Sequence, residues 1–170
     1  SMPGRWPPLL IDANVLIDFA DSDVTVLRLV VRHLAPVSVL RPVLREVTQL
    51  DATDCDRLDL SLFEPSVEQL LEAGARRRSL SFFDRLCLIV SRDQGWACVT
   101  NDTVLRKECA TEGVRTVWGL ELLVGLVGAR HLGNRSALTI ATAIHHNNPR
   151  HISRAILSRL AERLRRLGQS

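Results

Sequence analysis

The sequence predicts a three-layer α/β/α fold, a central parallel sheet between helices, with further helices appended at the C-terminal end. Three observations carry this. Short apolar runs recur at 9–11, 37–40, 62–63, 96–99 and 114–118, and read as strands. Segments with helical spacing separate them, and strands that alternate with helices pair in parallel with helices on both faces. Beyond Gly119 the strand pattern stops and only helical spacing continues.

Leu9-Leu10-Ile11 reads as a buried strand running straight into a polar turn at Asp12. Val24, Leu27, Val30, Val31 and Leu34 form the face of a helix that Pro36 closes, and Val37 to Leu40 is the second strand. Pro42 sits where a helix begins, giving an apolar stripe of Val43, Leu44, Val47 and Leu50 with Glu46 among them. Residues 51–61 are polar and accommodate a short helix, Leu62-Phe63 a short strand, and Pro65-Ser66 opens a helix running to about Arg78. Phe82 to Val90 is apolar nearly all round, a buried helix interrupted by Asp84 and Arg85 and ended by Gly95. Trp96 to Val99 is a strand leading into Thr100-Asn101-Asp102, residues 103–112 a helix and Val114 to Trp118 the last strand. Helices follow at 120–127, 137–144 and 152–167.

At 170 residues and 46% hydrophobic, the chain can bury a proper core, and its size suits one domain with an appendage: a domain over 8–128 and a basic helical extension over 129–170. No apolar run approaches the roughly 20 residues of a membrane span, and the first residues lack the apolar core of a signal peptide, so a cytoplasmic protein without a membrane partner is expected. Cys55, Cys87, Cys98 and Cys109 are widely spaced with no CxxC pair, as expected of reduced thiols. Charge is uneven. Residues 1–128 carry fourteen Arg or Lys against eighteen Asp or Glu, a net of −4, whereas residues 129–170 carry eight Arg against the single acid Glu162, a net of +7. An Arg-rich segment on an acidic body suits a phosphate-backbone partner, and it also suits a plain solvated helix face.

Four carboxylates carry the candidate chemistry. In an open parallel sheet, ligands bind beyond the carboxyl ends of the strands, where the strand order reverses. Asp12 and Asp102 each directly follow a strand, so two separate strands deliver a carboxylate to the same edge; capping a following helix is the alternative role of each. Asp84 lies in a helix with hardly a polar face to spare, and a buried carboxylate needs a partner, either an arginine such as Arg85 or a cation. Glu46 alone reads equally as a surface residue. Four converging carboxylates repel one another unless a cation joins them, and oxygen-only ligation suits Mg²⁺ or Mn²⁺, which can support phosphodiester hydrolysis. Asn14 and Thr100, each two residues from an Asp, are placed to orient the carboxylates by hydrogen bonds.

These residues resemble a known family. Leu-Leu-Ile-Asp-Ala-Asn-Val-Leu-Ile-Asp at 9–18, an isolated Glu46, Asp84 opening an apolar helix and Val-Thr-Asn-Asp-Thr-Val-Leu at 99–105 are similar to the motifs of PIN-domain nucleases, including VapC-type toxins of toxin–antitoxin pairs. The resemblance covers roughly residues 8–122. It implies a PIN-like α/β/α fold, Asp12, Glu46, Asp84 and Asp102 as the metal-binding and catalytic acids with Asn14 and Thr100 in support, Mg²⁺ or Mn²⁺ as cofactor, and RNA as substrate. For a toxin it further implies a small antitoxin partner, and a homodimer is expected. Three positions depart from the commoner pattern: Ala13 replaces a frequent Thr, Leu105 stands where some members carry another acid, and Arg85 replaces a small residue after the third acid, where it could pair with Asp84.

Other features are read more plainly. His145 to His151 is expected to be an exposed loop. Arg76-Arg77-Arg78 reads as a solvated helix end, with contact to substrate phosphates as its alternative. Trp96 and Trp118 are expected in strands, in the core rather than as base-stacking platforms, and with no Tyr in the chain an extended stacking surface for single-stranded RNA is not expected. Asp18, Asp21 and Asp23 are expected mostly to cap the helix near Val24, with approach of one of them to the metal as the alternative. A phosphatase of the haloacid-dehalogenase kind and a phospho-receiver domain both want a suitably placed lysine, and the chain holds only Lys107. The remaining rival is a PIN-like module that binds RNA or protein without cutting.

Overall fold

The computed structural model describes residues 6–75 and 79–168, so the Arg76-Arg77-Arg78 run lies outside the described residues. Its strands are β1 (Leu9–Ile11), β2 (Val37–Leu40), β3 (Ser61–Phe63), β4 (Ala97–Val99) and β5 (Thr116–Val117). The helices are α1 (Ala13–Ser22), α2 (Thr25–His33), the single turn α3 (Arg41–Leu44), α4 (Ala52–Arg57), α5 (Val67–Ala75), α6 (Phe82–Gln94), α7 (Thr103–Thr111), α8 (Gly119–Gly128), α9 (Asn134–Asn147) and α10 (Arg154–Gly168). Among them, none is long and apolar enough to cross a membrane.

All the strand pairs are parallel, in the order β3-β2-β1-β4-β5. The chain builds outward from β1 to β3, then returns to β1's other side for β4 and β5, so the strand order reverses between β1 and β4. Alternation along the strands divides the core. Leu9 and Ile11 of β1, Val37 and Val39 of β2 and Ala97 and Val99 of β4 face a cluster with α1, α2, α8, α9 and α10, while Leu10, Leu40 and Cys98 face another with α5, α6 and α7. Both faces of the sheet are thus covered, as a parallel sheet requires.

The helices beyond residue 128 add to the first of these clusters. Ala137, Ile140, Ala141 and Ile144 of α9 and Leu160 and Leu164 of α10 are buried in the same cluster as β1. Helix α9 packs on α1, and α10 packs on α8 and α9. The closeness of one approach is set by glycine: a Cβ at Gly125 of α8 would stand 2.6 Å from the Trp6 ring and 3.0 Å from Leu34.

Several local expectations are corrected. No turn follows β1; α1 begins at once, and its residues Asp18 and Asp21 are helical, leaving only Asp23 to accept from the Thr25 N–H at 3.1 Å. Strand β5 is shorter than 114–118, and Trp118 lies outside it, 38% exposed. Trp96 is partly buried and packs edge-on against Phe63, 5.2 Å between ring centroids. His145 and His146 belong to the last turn of α9, and Asn148 turns inward, so 145–151 is not a bare loop. All four cysteines are free and buried.

Candidate active site

Asp12 follows β1 at the point where the strand order reverses. Its backbone N–H continues the sheet by donating to the Val99 carbonyl at 3.1 Å, and its Oδ1 accepts the Val15 N–H at 2.9 Å, capping α1. The capping role is therefore real, and it uses one oxygen. Oδ2 is buried and receives no hydrogen bond, in a residue only 2% exposed. Burial pushes the carboxyl up to about 7; the Thr100 side chain and the Val15 N–H oppose the rise, and the charges of Asp84 and Asp18 add to it.

On the neighbouring strand β4, the chain leaves the sheet through Thr100, whose backbone N–H donates to the Val117 carbonyl at 3.0 Å. The buried Thr100 hydroxyl accepts the Asp102 N–H at 3.1 Å. Asp102 Oδ1 in turn accepts from Val104 and Leu105, at 2.8 and 3.0 Å, and caps α7. Here too one carboxylate oxygen fixes the side chain and leaves the other for a ligand.

Asp84 enters from α6. Ser81 caps that helix by accepting the Asp84 N–H at 3.2 Å, which sets Asp84 in the first turn, half-buried. Burial raises its carboxyl, the Ser81 side chain lowers it, and the Asp102 charge raises it further. Asp84 thus senses Asp102, and Asp12 senses Asp84: the three acids form one electrostatic group at the carboxyl edge of the sheet. Beneath them the Cys87 thiol is raised well above its usual range by burial and then by Asp12 and Asp84, so it stays neutral.

Glu46 and Asn14 stand apart. Glu46 is exposed in the turn after α3, beyond the carboxyl end of β2, and not on a helix. Asn14 is exposed in the first turn of α1 and makes no hydrogen bond to an acid among the described residues. As the side chains stand, no three carboxylate, imidazole or thiol groups among the described residues converge so as to hold one ion. What fits a divalent cation is the donor chemistry: oxygen-only groups, an unengaged buried Oδ2 on Asp12, and mutual repulsion through Asp84 to Asp102 that a cation would relieve.

A comparison with solved structures decides the architecture. The chain is similar to a PilT N-terminus domain protein from the hyperthermophilic archaeon Sulfolobus solfataricus P2, with a TM-score of 0.50 at 9% identity, over 69% of this chain and 91% of that one. The fold is PIN-like. No family model matches the chain, and no curated protein matches it.

Within the PIN-like frame, Arg85 behaves differently from the pairing its position suggested. It forms no ion pair with Asp84 among the described residues; its charge registers at Glu72 instead, and its Nε is buried without a hydrogen bond. Asp84 is therefore left to the acidic group.

Sequence reasoning did not foresee the partners of a second set of polar residues beside the acids of the PIN-like edge. Asp18, 7% exposed, accepts from Asn148 Nδ2 at 3.1 Å, which ties α1 to the α9–α10 connection across 130 residues. Burial raises the Asp18 carboxyl; Asn148, His151 and Asn101 lower it, and Asp21 raises it. Asn101, also buried, accepts the Gly119 N–H at 2.9 Å and so joins the loop after β4 to the start of α8. Arg106 donates to the Thr100 carbonyl at 3.2 Å and lies 3.7 Å over the Trp118 ring. The available signal was an acid at position 18 inside the otherwise apolar Val15 to Phe19 stretch.

Proposed function

We propose that the chain is a divalent-cation-dependent endoribonuclease that hydrolyses RNA phosphodiester bonds at Asp12, Asp84 and Asp102, with Glu46 at the margin of the site. The observation that carries this is Asp12: a carboxylate almost wholly buried, at the reversal of strand order, with one oxygen unengaged and another acid's charge within reach. A residue needed only to cap α1 would not need the second oxygen buried and unpaired.

Asp12, Asp84 and Asp102 are the residues that would hold Mg²⁺ or Mn²⁺, with Glu46 able to join from the neighbouring turn. When bound there, the cation supplies charge neutralisation, water activation and stabilisation of the leaving oxygen. The protein's own part is orientation. Val15, Val104 and Leu105 fix one oxygen each of Asp12 and Asp102, and Thr100 spans the two motifs. The Arg-rich segment after residue 128 supports attraction of a phosphate backbone. RNA as substrate, a role as the toxin of a toxin–antitoxin pair with a small antitoxin, a homodimer and a cytoplasmic site of action extend the same reading from the motif resemblance.

That the acids among the described residues do not converge as three ligands of one ion favours a second reading, a PIN-like module that binds RNA or protein without cutting. Cleavage of a labelled single-stranded RNA panel with Mg²⁺ or Mn²⁺ separates the two. Cutting that EDTA and Asp12→Asn both abolish is the expected result; RNA left intact by metal-loaded protein favours the module.

A further inference from the structure

We propose that the groove between α8 and α10 is a nucleotide-binding subsite that seats one base of the RNA beside the acidic centre, an inference that rests on the nuclease reading. The groove encloses about 420 Å³, within the range of roughly 300–1,000 Å³ typical of small-molecule sites. Its floor is apolar: Leu120 of α8, Ile152 before α10, and Ile156 and Leu160 of α10. Leu120, Ile152 and Leu160 are anchored in the main core, so the floor exists before any ligand arrives.

One end of the groove reaches Asn101, which stands between Thr100 and Asp102 in sequence. A base in the groove therefore lies next to the loop that carries Asp102. Trp118 supplies an aromatic wall. Arg106 lies over its ring at 3.7 Å and is itself held by the Thr100 carbonyl, so the indole is oriented in advance while still 38% exposed. Pre-orientation lowers the entropy cost of stacking a base, and stacking on tryptophan is tolerant of base identity.

The charges at the rim are unequal. Arg163 is engaged by Glu121 through both guanidinium nitrogens, whereas Arg159 is exposed and forms no ion pair among the described residues. An unpaired guanidinium next to an apolar slot matches a ligand that is flat and apolar at one end and anionic at the other. An uncharged apolar ligand would leave Arg159 unused, and inorganic phosphate would leave the floor unused. A nucleotide uses both. Because α10 contributes the floor and Arg159, the last helix becomes part of substrate binding, and the positive charge after residue 128 acquires a specific place on the molecule.

The test uses the full chain in EDTA, so that no cleavage is required. The four nucleoside monophosphates and ribose 5-phosphate are titrated in turn, with binding followed by NMR of the Trp118 indole N–H, assigned by loss of its signal in Trp118→Phe. The expected result is that at least one nucleotide shifts this signal at millimolar concentration and ribose 5-phosphate does not. Trp118→Ala, which lacks that reporter and is followed by the broadening of the nucleotide's own proton signals, is expected to weaken the binding roughly tenfold or more. Arg159→Glu, on an exposed helix face where folding is not at stake, is expected to weaken it comparably. Unmoved Trp118 signals with all four nucleotides, or wild-type affinity in Arg159→Glu, would overturn the subsite and leave the groove to a protein segment. The outcome is separable from the nuclease reading: nucleotide binding without RNA cutting keeps the subsite and sinks the nuclease, and cutting without nucleotide binding does the reverse.

Discussion

The Thr100 hydroxyl accepts the backbone N–H of Asp102 at 3.1 Å, and the same side chain lowers the carboxyl of Asp12 on the adjacent strand. One buried residue thereby links the two acids that the strand order brings together. Replacing Thr100 by Val keeps the shape and removes both interactions, leaving the Asp102 N–H without its acceptor and the Asp12 carboxyl without the hydroxyl that lowers it. Unfolding in urea is expected to show a loss of about 1–3 kcal/mol, and cation-dependent RNA cleavage is expected to fall by about tenfold or more, since displaced supporting groups cost roughly that much at metal sites. Thr100→Ser retains the hydroxyl and is expected to keep most of the activity.

Asp12 makes stability depend on pH in a direction opposite to that of an ordinary surface acid. Its folded value, about 7, lies above the 3.8 of the unfolded chain. Below about pH 4 the group is protonated in both states and costs nothing. Between about 4 and 7 the unfolded chain releases the proton more readily, so the cation-free fold loses stability as pH rises, and the full penalty applies above 7. Urea midpoints of protein in EDTA are expected to fall over this interval, by the equivalent of roughly 2–4 kcal/mol from Asp12 alone. Asp12→Asn keeps a capping oxygen and is expected to flatten the profile.

The bond from Asn148 to Asp18 is expected to hold the C-terminal helices to α1. Asn148→Ala leaves the buried Asp18 carboxylate without its donor at 3.1 Å, at an expected cost of about 1–3 kcal/mol. Amide hydrogen exchange is expected to rise first at the end of α9 and the start of α10. Asp18→Asn, which removes the charge whose burial is unfavourable, is expected to be tolerated better.

Gly125 tests the packing of α8. Alanine would favour the helix intrinsically by up to about 1 kcal/mol, but its Cβ meets the Trp6 ring at 2.6 Å and Leu34 at 3.0 Å. Overpacking of this kind typically costs about 1–3 kcal/mol, so Gly125→Ala is expected to lower the thermal midpoint. Gly128→Ala, with open space around it, is expected to leave the midpoint unchanged or raise it.

The parts of the fold that were legible in the sequence are those where burial leaves a local mark. The runs 9–11, 37–40 and 97–99 are apolar because β1, β2 and β4 are covered on both faces, and Gly95 ends α6 because the chain there turns through φ 70°. That Asp12, Asp84 and Asp102 come together at one edge was legible for a related reason, as acids placed against apolar runs. Helix α1 was not, because Val15 to Phe19 is apolar on nearly every side and Asp18 interrupts its period with a partner 130 residues away. The helix expected around Glu46 is cut short: Val43, Leu44 and Val47 are all buried, which gives helical spacing, but the helix stops at Leu44 and the chain continues as turns. Trp118 misled because an apolar residue after β5 looks like strand, while its exposed indole answers to Arg106, a contact that no local pattern encodes.

The most direct test of the acidic centre is calorimetric titration of Mn²⁺ into the full chain at pH 8, repeated with Asp12→Asn and Asp84→Asn. The account predicts saturable binding to the wild type, a gain in thermal midpoint on binding, and loss of both in either variant. Wild-type protein that takes up no Mn²⁺, or variants that bind it undiminished, would contradict the central claim that these carboxylates form a metal site.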